Sequence, residues 1–356
     1  MHIDAFDFQL PEELIALEAA EPRDSARLLS VDTQGQILDR RVADLPKLLR
    51  RGDLLILNNT KVSPVQLVGK RSAREEGGGG AVSIDVTLHQ QLEHGSFDRV
   101  EWLAFARPAK RLKEGDILDF GNGFAATVVD RNGAEVQLRF DVDQGTFRHK
   151  LSETGAPPLP PYIARRRETT DLDRDRYQTV YAEHEGSVAA PTAGLHFTDD
   201  LFQQLDDGGI DRAFVTLHVG PGTYLPVTTD AIEEHTMHAE WGDVSEATVD
   251  RITKTKADGG RVISVGTTSM RLLETAARSG DLKPFKGDTD IYITPGFDFR
   301  VADLLMTNFH LPKSTLIMLV AAFIGLDTTH AVYRHAIEQK YRFYSYGDAC
   351  LFERSQ

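Results

Sequence analysis

The spacing of apolar positions changes along the chain, and each change marks a different kind of element. Through residues 1–62 short apolar runs alternate with polar, helix-like stretches, the pattern of a mixed α/β region. Pro11 to Leu17 predicts a short helix, with Pro at its start and Glu12 and Glu13 in the first turn, where the helix dipole favours anions. The run from Glu21 to Asp32 leads into a strand. Asp44 to Arg50 predicts a helix capped by Asp44. Asp53 to Leu57 is a compact apolar strand that ends in the polar run Asn58-Asn59-Thr60-Lys61.

From about Pro64 to Leu151 the period shortens to two. The runs VQLVGKR, AVSIDVTLHQ, RVEWLAFAR, DILDF, FAATVVD and AEVQLRF read as successive strands, with Ile84 to Leu88 and Glu135 to Phe140 alternating as half-buried strands do. Glycine turns at 121–123 and 132–133 separate them, which predicts a small antiparallel barrel. The glycine tract 77–80 is expected to be a flexible loop within it.

Beyond the stiff stretch Gly155 to Pro161 the α/β character returns. Helices are expected at Asp173–Tyr181, after the N-cap Thr198 as far as Gly208, after the N-cap Ser245 as far as Ala257, and at 267–278, near 300–306, 314–325 and 328–340. Strands are expected at 210–219 and 261–266, and 289–296 is strand-like. There is no internal repeat. The fold class is therefore α/β (α+β): a discontinuous main domain, residues 1–62 and 159–356, interrupted by an inserted β-barrel domain, residues 63–158.

Composition narrows the class. The 356 residues are 41% hydrophobic and 26% charged, the balance of a globular protein. A single cysteine, Cys350, excludes a disulfide framework and a cysteine metal cluster, and a cytoplasmic home fits. The acidic N-terminal stretch has no signal-peptide character. The longest apolar run, Leu316 to Leu326, is too short to span a bilayer and reads as a buried core helix. A net charge of −14 argues against broad nucleic-acid binding but leaves room for a local basic patch.

Two stretches organise the candidate chemistry: Ser187 to Thr198 (SVAAPTAGLHFT) and Thr216 to Val227 (TLHVGPGTYLPV). Both are rich in Gly, Pro, Ser and Thr, and each carries one histidine, His196 or His218. Glycine lets backbone N–H groups approach a ligand, so these loops are expected to form an active-site floor, with Thr192, Gly194, Gly220 and Thr223 binding substrate. Residues 263–274 form a strand, a glycine turn and a helix opened by Thr267 and Thr268. Such an N-terminus binds anions, though without Walker or dinucleotide spacing. Arg271 and Glu274 are expected to pair at i,i+3. His238 and Glu240 are expected on one face of a strand, as an acid/base pair. Asn308 and His310 precede the helix capped by Ser314 and are available for ligand contact. Tyr346 and Asp348 lie in an aromatic turn, and exposed Tyr can stack on a nucleobase. Arg165 to Arg167 are nearly cancelled by neighbouring acids, yet can clamp RNA phosphates.

RDSARLL, LLILNNTKV, PPYI, RYQTVYA, GSVAAPTAGLHFT, TLHVGPGTYLPV, MHAEW, VGTTSMRLLE, TPGFDF, TNFHLPKSTLIMLVAAFIG and YRFYSYGDACL run in order from residue 23 to residue 351. Together they resemble the S-adenosylmethionine:tRNA ribosyltransferase-isomerase family of queuosine biosynthesis. The resemblance implies an enzyme that moves the ribosyl part of S-adenosylmethionine onto 7-aminomethyl-7-deazaguanine at the tRNA wobble position and isomerises it. Epoxyqueuosine-tRNA, adenine and methionine are then the products, with no metal or bound cofactor. For that reaction His196 and His218, one on each glycine loop, are the candidates for proton transfer. Glu240 or Asp348 would hold the sulfonium or ribose, Thr267, Thr268 and Arg271 the methionine carboxylate, and Arg23 and Arg165 would contact tRNA. A monomer without membrane association is expected. The chain departs from the family at Ala26, Asn59 (commonly Asp), Pro221 and Tyr224. Two other readings stay open from the residues alone: a metal-dependent hydrolase using His235 and His238, and a non-catalytic tRNA-binding protein using the barrel.

Overall fold

Leu54–Asn58 is buried at every position, as are Val262–Val265 and Leu304–Asn308. Continuous apolar runs of this kind suit parallel strands covered on both faces. In the computed structural model, which describes residues 1–74, 78–92, 97–167, 170–220, 227 and 229–355, they form the middle of a nine-stranded sheet. Its spatial order is Phe285–Thr289, Glu240–Val244, Asp211–Leu217, Leu54–Asn58, Val262–Val265, Leu304–Asn308, Ala349–Glu353, Arg27–Val31 and Ile37–Arg41. The four strands from Asp211–Leu217 to Leu304–Asn308 run parallel to one another. Their carboxyl ends, Leu217, Asn58, Val265 and Asn308, therefore share one edge.

Alternation along these strands divides the core. Leu55, Leu57, Ile263 and Val265 pack with Leu201, Phe202 and Leu205 of the helix Asp199–Asp207. Leu54, Ile56 and Val262 pack on the other face with Val249 and Ile252 of Glu246–Ala257 and with Leu272 and Leu273 of Thr267–Ala276. The helix Thr315–Ile324 is apolar nearly all round and sits in a third cluster with Phe309, Tyr333 and Phe343. Full burial of each such leucine or isoleucine contributes roughly 1.5–3 kcal/mol. Among the described residues no single helix is long and apolar enough to cross a membrane.

The chain divides into two compact units, one built on Met1–Lys61 and most of the chain beyond Pro160, the other on Val62–Leu159. The second is a closed barrel in the order Glu135–Phe140, Val100–Arg107, Val82–Leu92, Gln66–Arg71, Ile117–Asp119, Ala125–Asn132, every neighbour antiparallel. Inward positions alternate as expected. Phe120, Phe124, Phe140 and Phe147 fill the interior. The helix Gln144–Thr154 carries Phe147 and is capped by Asp143, whose Oδ1 accepts from the Gly145 and Thr146 N–H groups at 2.8 and 3.0 Å. Of the glycine tract 77–80, residue 77 lies outside the described residues.

Several sequence expectations are corrected. Pro11–Leu17 is no helix but a single 3-10 turn, Glu12–Leu14. Asp44 does not cap an α-helix over 44–50. It ends a 3-10 turn, accepts from the Arg41 N–H at 3.1 Å, and precedes one turn, Leu45–Leu48. The helix expected at Asp173–Tyr181 lies at Asp171–Arg176. Residues 289–296 hold no strand past Thr289, and Ile291 and Ile293 are buried without a ladder. The helix expected near 300–306 is instead the strand Leu304–Asn308, because a short apolar run carries no period to separate the two. The caps Thr198, Ser245 and Ser314 form as read, each accepting a backbone N–H three residues on.

Candidate active site

The two glycine-rich loops meet at the carboxyl edge of the parallel strands, where open α/β sheets bind ligands. The first begins at Ser187, whose Oγ accepts the Val219 N–H at 2.9 Å, while the Val188 N–H donates to the Val219 carbonyl at 2.9 Å. These bonds fasten the start of the first loop to the second. The first loop then turns through a short 3-10 segment, Thr192–His196, with Thr192 half-buried and His196 buried. Gly194 is required there, because a Cβ would lie 2.0 Å from the Tyr181 hydroxyl.

The His196 ring ends against strand Leu304–Asn308. Its Nε2 faces the Asn308 Nδ2 at 3.3 Å, and that same amide donates to the Tyr344 carbonyl at 3.1 Å. The amide is a donor, so Nε2 accepts and the ring is neutral. Burial holds the His196 pKa down to about 4, aided by the positive charges of Arg342 and Arg23, while a hydrogen bond with the Arg23 backbone opposes the shift. Tyr344 adopts φ 74°, a conformation costly for a bulky side chain. The Oδ1 of Asn308 is buried without a partner among the described residues.

His218 is placed differently. It follows strand Asp211–Leu217, stacks on Trp241 at 5.1 Å between ring centroids, and is half-buried. Its Nδ1 lies 2.9 Å from the Thr60 hydroxyl, and that hydroxyl donates to the His184 carbonyl at 3.5 Å. When the hydroxyl proton is directed there, the Thr60 oxygen accepts from Nδ1–H and the free lone pair falls on Nε2. Gly186 lets the chain pass over the imidazole: a Cβ would lie 2.8–2.9 Å from Nε2, Cδ2 and Cε1. Burial and then the charge of His184 lower the His218 pKa, so the ring is neutral and can accept a proton.

Beyond His218, the Gly220 N–H donates to Glu240 Oε1 at 2.9 Å, and the other carboxylate oxygen meets Arg271 Nη1 in a short charge-assisted bond. Arg271 Nε donates to the Ile291 carbonyl at 3.2 Å, and its Nη2 is buried without a partner among the described residues. Arg271 therefore pairs with Glu240, not Glu274. The Glu274 carboxylate accepts backbone N–H groups from Arg300, Val301 and Ala302 at 2.8–3.3 Å, and burial raises its pKa. His238 does not share a strand face with Glu240, because that strand starts at Glu240.

Gly266, at φ 93°, caps the helix Thr267–Ala276 without any side-chain bond. Thr267 is buried, and the Thr268 hydroxyl lies 3.4 Å from the Asn58 amide. That first turn therefore presents N–H groups at the sheet edge.

The remaining candidates are occupied by the chain itself. Asp348 accepts the Arg27 N–H at 3.0 Å and the Arg342 N–H at 2.8 Å. His310 is buried against the Thr307 hydroxyl at 2.9 Å, and burial pushes its pKa down to about 3. Tyr346 is buried edge-on to Tyr177 at 5.8 Å. Arg23 donates to the Gln178 and Asp175 carbonyls, both at 2.7 Å, whereas Arg165 is exposed. Thr223 lies outside the described residues. His235 packs edge-on against Tyr292 at 5.4 Å, and among the described residues no group of metal-ligating side chains converges.

Sequence reasoning did not single out Ser187, Thr60 and Trp241 as partners of the loops. The polar run that closes strand Leu54–Asn58 was the available signal for Thr60. Asn59, in the same run, donates to Glu183 Oε2 at 3.0 Å and accepts from the Thr216 hydroxyl at 2.7 Å. A carboxylate at 59 would confront Glu183, so the amide suits its surroundings. It borders a cavity of about 380 Å³ whose walls include Glu183, His184, Thr216, Thr248 and Arg251. That opening lies where strands Asp211–Leu217 and Glu240–Val244 part, and none of the candidates among the described residues lines it.

A profile of the queuosine biosynthesis protein family matches residues 3–352. An S-adenosylmethionine:tRNA ribosyltransferase-isomerase of Mesorhizobium japonicum is 53% identical over 366 residues, covering 100% of this chain and 99% of that protein. One of Phenylobacterium zucineum is 54% identical and covers 100% of both. The solved structure of an S-adenosylmethionine tRNA ribosyltransferase from Thermotoga maritima is 33% identical, with a TM-score of 0.55, over 98% of this chain and 99% of that one.

Proposed function

From the premise that this chain belongs to the queuosine biosynthesis family, we propose that S-adenosylmethionine is held at the carboxyl edge of its parallel strands. The chain is a transferase-isomerase. It moves the ribosyl moiety of S-adenosylmethionine onto 7-aminomethyl-7-deazaguanine at the tRNA wobble position, giving epoxyqueuosine-tRNA, adenine and methionine. The observation that carries the placement is the fastening of both histidine loops to one another at Ser187–Val219 on that edge.

The first step assigned to the site is loss of a C5′ proton, made acidic by the adjacent sulfonium. His218 is the base, since it is neutral, half-buried and has a free lone pair on Nε2. Burial keeps His196 neutral, and the ring is held against Asn308 with Thr192 and Gly194 beside it. The methionine carboxylate is assigned to Arg271 Nη2 and the first turn at Thr267 and Thr268. That guanidinium nitrogen, without a partner among the described residues, supports this, since a buried donor left unpaired costs about 1–3 kcal/mol until a ligand satisfies it. Glu240 fixes Arg271 and, through Gly220, the second loop. Asn308, with its unpartnered Oδ1, is assigned to the ribose. Asp348, His310, Tyr346 and Arg23 act as positioning residues, and exposed Arg165 is assigned to the tRNA backbone. No metal or bound cofactor takes part, and the working form is a cytoplasmic monomer.

The test is incubation with S-adenosylmethionine and an anticodon stem-loop bearing 7-aminomethyl-7-deazaguanine. Adenine release matched by a ribosyl-derived mass gain on the RNA is expected. RNA binding with neither product overturns the reading.

A further inference from the structure

The reaction above needs an RNA polyanion to approach a chain of net charge −14. That charge is unevenly divided. Residues 62–159 hold 12 Lys and Arg against 14 Asp and Glu, a net −2, whereas the rest holds 28 against 40, a net −12. Repulsion is therefore weakest at the barrel.

Within the barrel one loop stands out, Pro108 to Lys113. It turns through a 3-10 segment, Ala109–Arg111, in which Ala109 and Leu112 are buried while Lys110, Arg111 and Lys113 are exposed. The apolar pair pins the turn to the barrel, and every cation faces solvent. Among the described residues none of these three cations lies in an ion pair with an acid. One of the two nearby acids is already engaged. Asp116 accepts from Arg74 Nε at 2.8 Å and Nη2 at 2.5 Å, and from the Lys113 backbone N–H at 2.8 Å. Hydrogen bonding to Arg74 lowers the Asp116 pKa, so its charge is fixed. Arg74 Nη2 also donates to the Arg111 carbonyl at 2.9 Å, which holds the loop in place. Arg71 adds a further buried positive charge beside Asp116. Arg107 faces Asp85 across the strand pair, and Glu114, which follows the loop, offsets one of the three charges, so Lys110, Arg111 and Lys113 leave a surplus of two.

We propose that Lys110, Arg111 and Lys113 form a docking loop for the sugar-phosphate backbone of the tRNA substrate. The proposal rests on the tRNA-modifying reading above and adds a part of the molecule that binds the RNA without touching the reacting groups. A pre-ordered turn carrying three unpaired cations neutralises phosphates with little loss of backbone freedom, and it carries no base specificity.

The test compares two triple variants of the intact enzyme that each remove three positive charges. One is Lys110→Gln, Arg111→Gln, Lys113→Gln. The other is Arg131→Gln, Arg139→Gln, Arg148→Gln, on other parts of the barrel. Adenine release is followed against tRNA concentration at several salt concentrations. The loop variant is expected to raise KM for tRNA by about tenfold at low salt, and to flatten the salt dependence of binding by roughly two to three phosphate contacts. Its kcat at saturating tRNA and its KM for S-adenosylmethionine should stay unchanged. An active loop variant with wild-type KM and salt slope overturns the proposal. So does an equal change in the second triple variant, which would make the effect one of net charge alone. Wild-type protein that releases no adenine with tRNA would instead overturn the functional reading itself.

Discussion

The loops around His196 and His218 look alike in sequence and differ in what they offer a reaction. His196 is enclosed: its Nε2 accepts from the Asn308 amide, and burial holds its pKa to about 4. His218 is half-open, with Nδ1 against Thr60, one face on Trp241, and Nε2 unbonded among the described residues. A glycine-rich loop with a histidine thus specifies a place and not a role. The role follows from whether the strand end beneath the ring supplies partners for both nitrogens or for one.

The sharpest way to break this comparison is to remove each ring. His218→Ala should lower kcat by roughly two to four orders of magnitude, the usual worth of a positioned base, with little change in thermal midpoint. His196→Ala should instead lower the midpoint, since it leaves the buried Asn308 amide short of an acceptor. Thermal melts alongside single-turnover adenine release separate the two. Equal losses of both kinds in both variants would erase the distinction.

The ion pair behind the His218 loop comes next. Glu240 and Arg271 have side chains only 7% exposed, so removing one partner leaves a buried charge. Glu240→Gln should destabilise by about 3 kcal/mol or more. It should also loosen Gly220, raising KM for S-adenosylmethionine. Chemical denaturation reads the first and steady-state kinetics the second. A fully stable, fully active variant would show that the pair backs nothing.

The pH response sharpens the contrast from the other side. A histidine whose pKa is lower folded than unfolded binds its proton more readily in the unfolded chain. Stability then rises with pH between the two values and is fully present above the unfolded one. For His196 the window runs from about 6.5 down to about 4, and the loss on acidification approaches about 3 kcal/mol. His310 acts in the same direction. His196→Asn should flatten the fall in stability between pH 6.5 and 4 relative to wild type, as read by denaturation at fixed pH steps.

These contrasts mark where the sequence was legible. The barrel strands followed from a period of two, and the caps Thr198, Ser245 and Ser314 from their side chains. The two loops were found from composition. What failed was information that resides in partners. Leu304 to Asn308 was misread as a helix because its neighbours in the sheet, and not its own residues, make it a strand. Arg271 was matched to Glu274 at helical spacing, but that carboxylate is held by three backbone N–H groups on the segment 300–302. Asp348 looked like a free acid and is a brace between Arg27 and Arg342. No local pattern signals that a side chain will be claimed by backbone 321 residues away.

The smallest effect concerns the bond between the loops. Ser187 Oγ accepts from the Val219 N–H at 2.9 Å and donates to the Ala189 carbonyl at 2.7 Å, so one buried hydroxyl serves both loops. Ser187→Ala leaves the Val219 N–H unpaired at a cost of about 1–3 kcal/mol. The Val188 N–H to Val219 carbonyl bond survives, so the loops stay adjacent. The expected outcome is a modest drop in thermal midpoint with a larger rise in KM for S-adenosylmethionine than fall in kcat, because the floor is loosened while His218 keeps Thr60 and Trp241. Ser187→Thr, which retains the hydroxyl, should recover part of the KM. A kcat loss in Ser187→Ala as large as that of His218→Ala would mean that the base is positioned through the first loop, and the two histidines would then have to be treated as one unit.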